Sequence, residues 1–129
     1  MEHEFLVSAL DSVPSDVGVY SKHVPNDFRY NYAPNPLLGR FPGRVQLVEV
    51  EPARIGAADY YKSLYQSMRD IGMDGIIPRI RMGTNKFRDF NNFCYDKLIH
   101  DPDADLEPMW NEFFFSYYGN QTAFDTAKS

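Results

Sequence analysis

Five carboxylate side chains near the C-terminus have a spacing that could bind a metal ion. They stand at the first, third, fifth, seventh and twelfth places of one twelve-residue stretch: Asp101, Asp103, Asp105, Glu107 and Glu112. Hard oxygen ligands at alternate positions, closed by a glutamate at the twelfth, are what calcium coordination requires. Calcium binding is therefore the sharpest candidate chemistry in the sequence.

The stretch resembles the calcium loop of the EF-hand family, and the resemblance implies a degenerate EF-hand-like calcium-binding module. Two residues depart from that pattern: Leu106 stands where the sharp turn needs glycine, and Pro108 lacks an amide hydrogen. Carboxylates also stabilise the first turn of a helix without any metal. We therefore favour a helix start at Asp105 and expect no metal site.

Other reactive residues form no convergent set. His3, His23 and His100 lack the spacing of metal ligands, and Cys94 lies on an apolar helical stripe, where a buried inert thiol is expected. The glycines make neither a Walker loop nor a dinucleotide fingerprint, so we expect no cofactor. Four basic residues lie close together in the sequence: Arg79, Arg81, Lys86 and Arg88. They could hold an anion at a helix start, but a solvated strand face explains the cluster better.

Composition narrows the class of partner and the compartment. The net charge of −5 opposes nucleic-acid binding, which needs a basic patch. A single cysteine allows no intrachain disulfide, which favours an intracellular, reducing compartment, with an organelle or a virion as further settings. The apolar run near the N-terminus is too short to span a membrane. Aromatic residues make up 16% of the chain and can fill a core or anchor an interface.

The elements that must position these residues begin after a long N-terminal arm, defined here as residues 1–43. Prolines recur through it, so we expect mostly extended, irregular backbone. Apolar side chains are nevertheless interleaved with the prolines, and such side chains are costly to leave in water. We expect the arm to lie on a surface, its own or a partner's, with the partner favoured. Its best candidate anchors are aromatic: Phe28, Tyr30, Tyr32 and Phe41.

A strand, a helix and a second strand follow the arm. Residues 44–50 are rich in β-branched types, residues 52–71 have helical periodicity with Gly72 as the cap, and residues 76–82 alternate. Pro78 confines the second strand to the edge of a sheet or to a bulge. This order predicts a small two-stranded or βαβ-like sheet. The apolar face expected on the helix comprises Tyr60, Tyr61, Leu64, Met68 and Ile71.

Two aromatic helices complete the chain. The first starts after Thr84 and has the stripe Phe87, Phe90, Cys94 and Leu98. The second runs from Asp105 to Gly119, and we expect Met109 and Phe115 to point away from its main apolar face: Leu106, Trp110, Phe113, Phe114 and Tyr117. A helix that is apolar most of the way round must be covered on more than one side. Phe115 is therefore a fifth candidate anchor.

These patterns predict an α+β fold with three main helices, a C-terminal aromatic helical hairpin and the extended N-terminal arm. We divide the chain into the arm at 1–43, an α+β domain at 44–119 and a polar tail at 120–129.

The function expected is that of a non-enzymatic interaction module, an accessory or structural subunit that contacts other protein subunits of a larger assembly. The alternative is a small enzyme or ligand-binding domain, whose pocket between the sheet and the helix pair would use Arg79, Arg81 or His100.

Overall fold

The structure is a computed structural model that describes residues 2–24, 33–50, 58–79 and 86–119, together with Thr122, Asp125 and Thr126. Within these residues it contains four helices and three strands, so the α+β class is confirmed. In chain order they are α1 (Glu2–Leu10), β1 (Val19–Lys22), β2 (Gln46–Val50), α2 (Ala58–Asp70), β3 (Gly75–Pro78), α3 (Lys86–His100) and α4 (Leu106–Tyr118).

The strands form one parallel sheet in the order β1-β2-β3. β2 and β3 pair from Leu47 with Gly75 to Val50 with Pro78, which confirms the predicted strand–helix–strand unit and the edge position of the proline-bearing strand. The prediction of two strands is wrong, because β1 pairs along the other side of β2. Its alternating exposure is the ordinary strand pattern, but four residues between prolines give a weak signal.

The chain divides into two compact units, Met1–Ala53 with Leu64–Arg81 and Arg54–Ser63 with Met82–Ser129. The described parts of the N-terminal arm belong to the first unit. They contribute α1, β1 and the buried side chains of Leu38 and Phe41. The anchors predicted at Phe28, Tyr30 and Tyr32 lie outside the described residues, so the contact of this stretch with a partner stays a prediction.

In the first unit, Gln46 fixes the start of the central strand. Its side chain, 4% exposed, accepts a hydrogen bond from the Phe41 amide at 3.2 Å and donates one to the Phe41 carbonyl at 3.0 Å. Its backbone amide donates to Asp74 Oδ2 at 2.8 Å, and its carbonyl accepts from the Asp74 amide at 2.9 Å. Gln46 thus forms hydrogen bonds to the turn before β2 and to the turn before β3. Its buried side-chain amide both donates and accepts a hydrogen bond, as buried polar groups need to.

Arg44 connects the end of α1 to the start of β2. Its guanidinium donates to four backbone carbonyls: Leu10 at 2.7 Å, Val17 at 3.1 Å, and those of Val13 and Pro14. Leu10 is the last residue of α1, whose final carbonyls lack partners within the helix. The planar guanidinium, with five N–H groups in a fixed geometry, suits such a cluster of acceptors.

The helix ends follow the predicted capping residues. At the end of α2 the Gly72 amide donates to the Arg69 carbonyl and the Met73 amide to the Met68 carbonyl, while Gly72 has φ +84°, which is the Schellman arrangement. Asp105 caps α4 by accepting from the Glu107 amide, and Gly119 ends it with φ +70°. These three predictions are confirmed.

The buried faces of the helices differ from prediction at a few positions. Tyr61, Leu64 and Met68 of α2 are buried as expected, but Ile71 is 44% exposed because α2 has ended before it. In the second unit Phe90, Cys94 and Leu98 are buried as expected. Tyr95 and Met109 are buried as well, so the prediction that Met109 points away from the core is wrong.

We predict that Arg44→Ala lowers the free energy of unfolding by about 2 to 3 kcal/mol, since it removes several hydrogen bonds from a charged donor. Arg44→Lys should recover part of this loss, because an ammonium reaches fewer of the four carbonyls. Urea denaturation followed by circular dichroism measures both. Arg40→Ala, an exposed arginine in the same unit, is the control, and an equal loss in the two alanine variants contradicts the role of Arg44.

Candidate functional site

Helix α4 exposes large aromatic side chains on two sides: Trp110 and Tyr117 lie on its main apolar face, and Phe115 lies away from that face. Phe115 is 53% exposed, Tyr117 44% and Trp110 36%. Phe113 and Phe114 on the same helix are half-buried. The sequence prediction that this helix has more apolar surface than one core needs is consistent with these exposures.

The aromatic rings of α4 are held in place by contacts with one another and with α3. Trp110 stacks on Phe114 with ring centroids 4.8 Å apart and planes inclined by 11°, and Phe113 lies 5.6 Å from Tyr117. Beneath them Phe90, 2% exposed, contacts Trp110 at 4.0 Å. Because neighbouring rings restrict their rotation, Trp110 and Tyr117 lose little side-chain entropy when a partner covers them.

An exposed ion pair connects α3 and α4, the two helices of the C-terminal hairpin. Lys97 of α3 pairs with Glu112 of α4 at 3.3 Å, and its ammonium lies 5.3 Å from the centre of the Phe93 ring. The pair is exposed, so its direct contribution to stability is small. Glu107 is also exposed on α4, so the helix surface is acidic as well as apolar.

The carboxylates of the candidate calcium loop are used within the chain. Asp101 Oδ1 accepts from the Asp103 amide at 3.0 Å, Asp105 Oδ1 accepts from the Glu107 amide at 3.1 Å, and Glu112 pairs with Lys97. Across the four described ranges, no group of three or more His, Cys, Asp or Glu side chains is arranged to hold a metal ion.

A lysine side chain from α2 forms hydrogen bonds with the backbone of the acidic turn. The Lys62 ammonium of α2 donates to the carbonyl of Asp103 at 3.2 Å and to that of Ala104 at 2.8 Å. Lys62 therefore connects α2 to the turn through two backbone carbonyls. Sequence spacing alone gave no means of finding this contact, because the lysine lies far away along the chain.

A second exposed surface is the outward face of the sheet, defined here as Tyr20, Lys22, Leu47, Glu49, Ile77 and Arg79. Tyr20 is 54% exposed and Ile77 40%. The Tyr20 hydroxyl donates a hydrogen bond to Glu49 Oε2, and this bond raises the pKa of Tyr20. The opposite face is covered, with Val48 and Val50 at 0% and 1% exposure.

The remaining candidate anchors and polar groups are scattered. Phe41 is 6% exposed within the first unit, so its predicted anchoring role conflicts with its burial. Arg79 and His100 are exposed, and Arg81 lies outside the described residues. His23 was given no role from sequence; it is 5% exposed at the end of β1, and burial lowers its pKa.

The first unit contains an open groove of about 440 Å³ beside α1. Two carboxylates and one guanidinium line it together with small and apolar side chains: Glu4, Val7, Ser8, Asp11, Pro36, Leu37 and Arg40. None of the polar residues named for the ligand-pocket alternative belongs to this lining.

Comparison with known proteins identifies no relative: no protein-family model matches the sequence, and no curated protein matches it. Within the part of the chain that the structure describes, no helix is both long enough and apolar enough to cross a membrane.

We predict that added calcium changes neither the fluorescence of Trp110 nor the melting temperature. The carboxylates of Asp101 and Asp105 are engaged in the turn and the helix cap. Magnesium and a chelator serve as controls. A saturable, chelator-reversible change with calcium alone contradicts the prediction.

Cys94 should be unreactive while the protein is folded. It is fully buried, and burial raises the pKa of its thiol to about 12. Thiol labelling at pH 8 should be slow in buffer and fast in urea. Because the folded pKa lies above the unfolded value near 9, the contribution of Cys94 to stability is lost as the pH rises from 9 towards 12. Fast labelling of the folded protein contradicts this.

Proposed function

We propose that this protein is a non-enzymatic protein interaction module, an accessory or structural subunit of a larger multiprotein assembly. The observation that carries the proposal is that α4 exposes aromatic side chains on two sides, Trp110 and Tyr117 on one and Phe115 on another. A partner that covers either side removes apolar surface from water, which is favourable.

The free energy gained by burying these side chains is large enough to contribute to binding. A buried aromatic side chain removes roughly 150–250 Å² from water, so covering the exposed half of Phe115 contributes about 2 to 3 kcal/mol. Aromatic residues of this kind are the ones that dominate measured interfaces.

The rigidity of the surface supports the same function. The rings of Trp110, Phe114 and Phe90 contact one another, so the side of α4 that bears Trp110 is organised before any partner arrives. Glu107 provides a charged border that can select among partners, because an acidic rim disfavours acidic proteins. Apolar centre and charged rim together are the usual anatomy of a protein interface.

The alternative is a ligand-binding or enzymatic domain, and one observation favours it. The groove beside α1 has a volume within the usual range for small-molecule sites, and it brings carboxylates and a guanidinium together. A small molecule retained by the native protein, detected by mass spectrometry, would favour this alternative over the interaction module.

The test of the proposed function is co-purification from the native source. A tagged chain should retain its partner proteins, and Phe115→Ser should reduce them at least tenfold, the change expected for losing about 1.4 kcal/mol or more. Phe5→Ser is the matched control, since Phe5 is an exposed aromatic residue on α1. Both variants should melt as the unmodified protein does. Partner recovery that is unchanged by Phe115→Ser contradicts the proposal.

A further inference from the structure

The groove beside α1 lies between two walls that both belong to the first unit. One wall is a face of α1 and of the turn that follows it, with residues that lie three, four and seven positions after the first: Glu4, Val7, Ser8 and Asp11. The other wall is the turn that contains Pro36, Leu37 and Arg40. The whole lining is therefore part of one compact body.

Hydrogen bonds hold both walls in place. Arg44 donates to the carbonyl of Leu10, the last residue of α1, at 2.7 Å. In the opposite turn, Asn35 Oδ1 accepts from the Leu37 amide at 3.0 Å. Because the walls are formed without a ligand, a bound molecule does not have to order them, which lowers the cost of binding.

Gly39 lets the second wall pack closely on the residue that follows α2. Its φ of +71° is one that residues with a Cβ rarely adopt, and a Cβ there would collide with the Ile71 carbonyl oxygen. Leu38 beside it is buried, whereas Arg40 is exposed. The turn is thus anchored on its buried side and has its guanidinium in the groove lining.

The three charged side chains of the groove have no partner within the chain. Among the described residues, the side chains of Glu4, Asp11 and Arg40 make no hydrogen bond and no ion pair. All three are exposed, and the apolar lining residues Val7 and Leu37 are half-buried. The groove therefore offers a ligand two negative charges, one positive charge and an apolar surface.

The spacing of the two carboxylates favours a ligand with two separate cationic groups. Side chains on one helical face meet at spacings of three and four residues, whereas Glu4 and Asp11 are seven residues apart, about 10 Å along the axis. Each carboxylate therefore pairs with its own cation. An aliphatic stem between the two cations would cover the apolar lining, as the stems of long basic side chains do on protein surfaces.

Arg40 adds a requirement for an anionic group. A planar guanidinium binds a carboxylate through two parallel hydrogen bonds. A simple diamine would supply the two cations but leave Arg40 beside positive charge. A basic α-amino acid supplies a carboxylate, an α-ammonium group and a second cation on an aliphatic stem. The groove volume of about 440 Å³ lies within the range of small-molecule sites.

We propose that the groove beside α1 binds a free basic amino acid, lysine or arginine. The carboxylate of the ligand lies on Arg40, and its two cationic groups lie on Glu4 and Asp11. This inference goes beyond the proposed function and does not depend on it, because the groove belongs to the first unit and α4 to the second.

NMR titration of the full chain with L-lysine tests the proposal. The amide resonances of α1 and of residues 36–40 should shift saturably. Two analogues each lack one group: norleucine lacks the side-chain cation, and cadaverine lacks the carboxylate. Each should bind at least threefold more weakly than lysine, the loss expected for one exposed ion pair. Added salt should weaken lysine binding, because it screens exposed charges.

Variants of similar size assign the contacts. Arg40→Gln should abolish the preference for lysine over cadaverine. Either Glu4→Gln or Asp11→Asn should abolish the preference for lysine over norleucine, and that variant identifies the partner of the side-chain cation. Asp16→Asn is the matched control, because Asp16 is an exposed carboxylate of the same unit outside the groove lining, and it should leave binding unchanged. Melting curves establish that each variant is folded.

Several results overturn the inference. They are the absence of a saturable shift with lysine, shifts confined to other segments, and lysine binding that all three groove variants leave unchanged. Cadaverine that binds the unmodified protein as tightly as lysine also overturns it, since the ligand would then be a polyamine. None of these results bears on the proposed function, which Phe115→Ser tests separately.

Discussion

The first unit depends on one guanidinium that serves four carbonyls. Arg44 immediately precedes the central strand, and its donors reach the end of α1 and the turn that leads to β1. The carbonyls of Leu10 and Pro14 also accept hydrogen bonds from backbone amides, so the guanidinium adds a second bond to each. Gln46, two residues later, bonds to the turn before β2 through its side-chain amide. The polar groups around the start of β2 thus connect it to the neighbouring segments, and Val48 and Val50 of the same strand are buried.

The sequence predicted the elements whose signals are local. The strand at β2, the helix ending at Gly72 and the caps at Asp105 and Gly119 all rest on residue types within a few positions, and each was found. β1 was missed because its four residues gain their stability from pairing with a strand far along the chain. Such pairing leaves little trace in a short segment crowded by prolines, so the sheet was predicted one strand too small.

The candidate sites show the same limit. The acidic turn was correctly given a structural alternative, since Asp105 caps a helix, but Lys62 could not be found from spacing because it reaches the turn through the fold. Met109 was placed on the wrong side of α4, and Phe41 was named as an anchor although it is buried. For Met109, a periodic pattern describes which residues share a face but leaves open which face the neighbouring elements cover. Phe41 lies in the arm, where no periodic pattern was available. Phe115, chosen because it diverges from the main stripe, is exposed.

The high content of aromatic residues links the fold to the proposed function. Phe90 and its neighbours are packed inside the helical hairpin, whereas Phe115 and Tyr117 are exposed.

The most direct measurement is hydrogen–deuterium exchange, comparing the isolated chain with the same chain in its native complex. An interaction module predicts slower exchange in α4, Leu106–Tyr118, within the complex. Unchanged exchange in α4, whether or not other segments become protected, would contradict the claim that this helix is the interface.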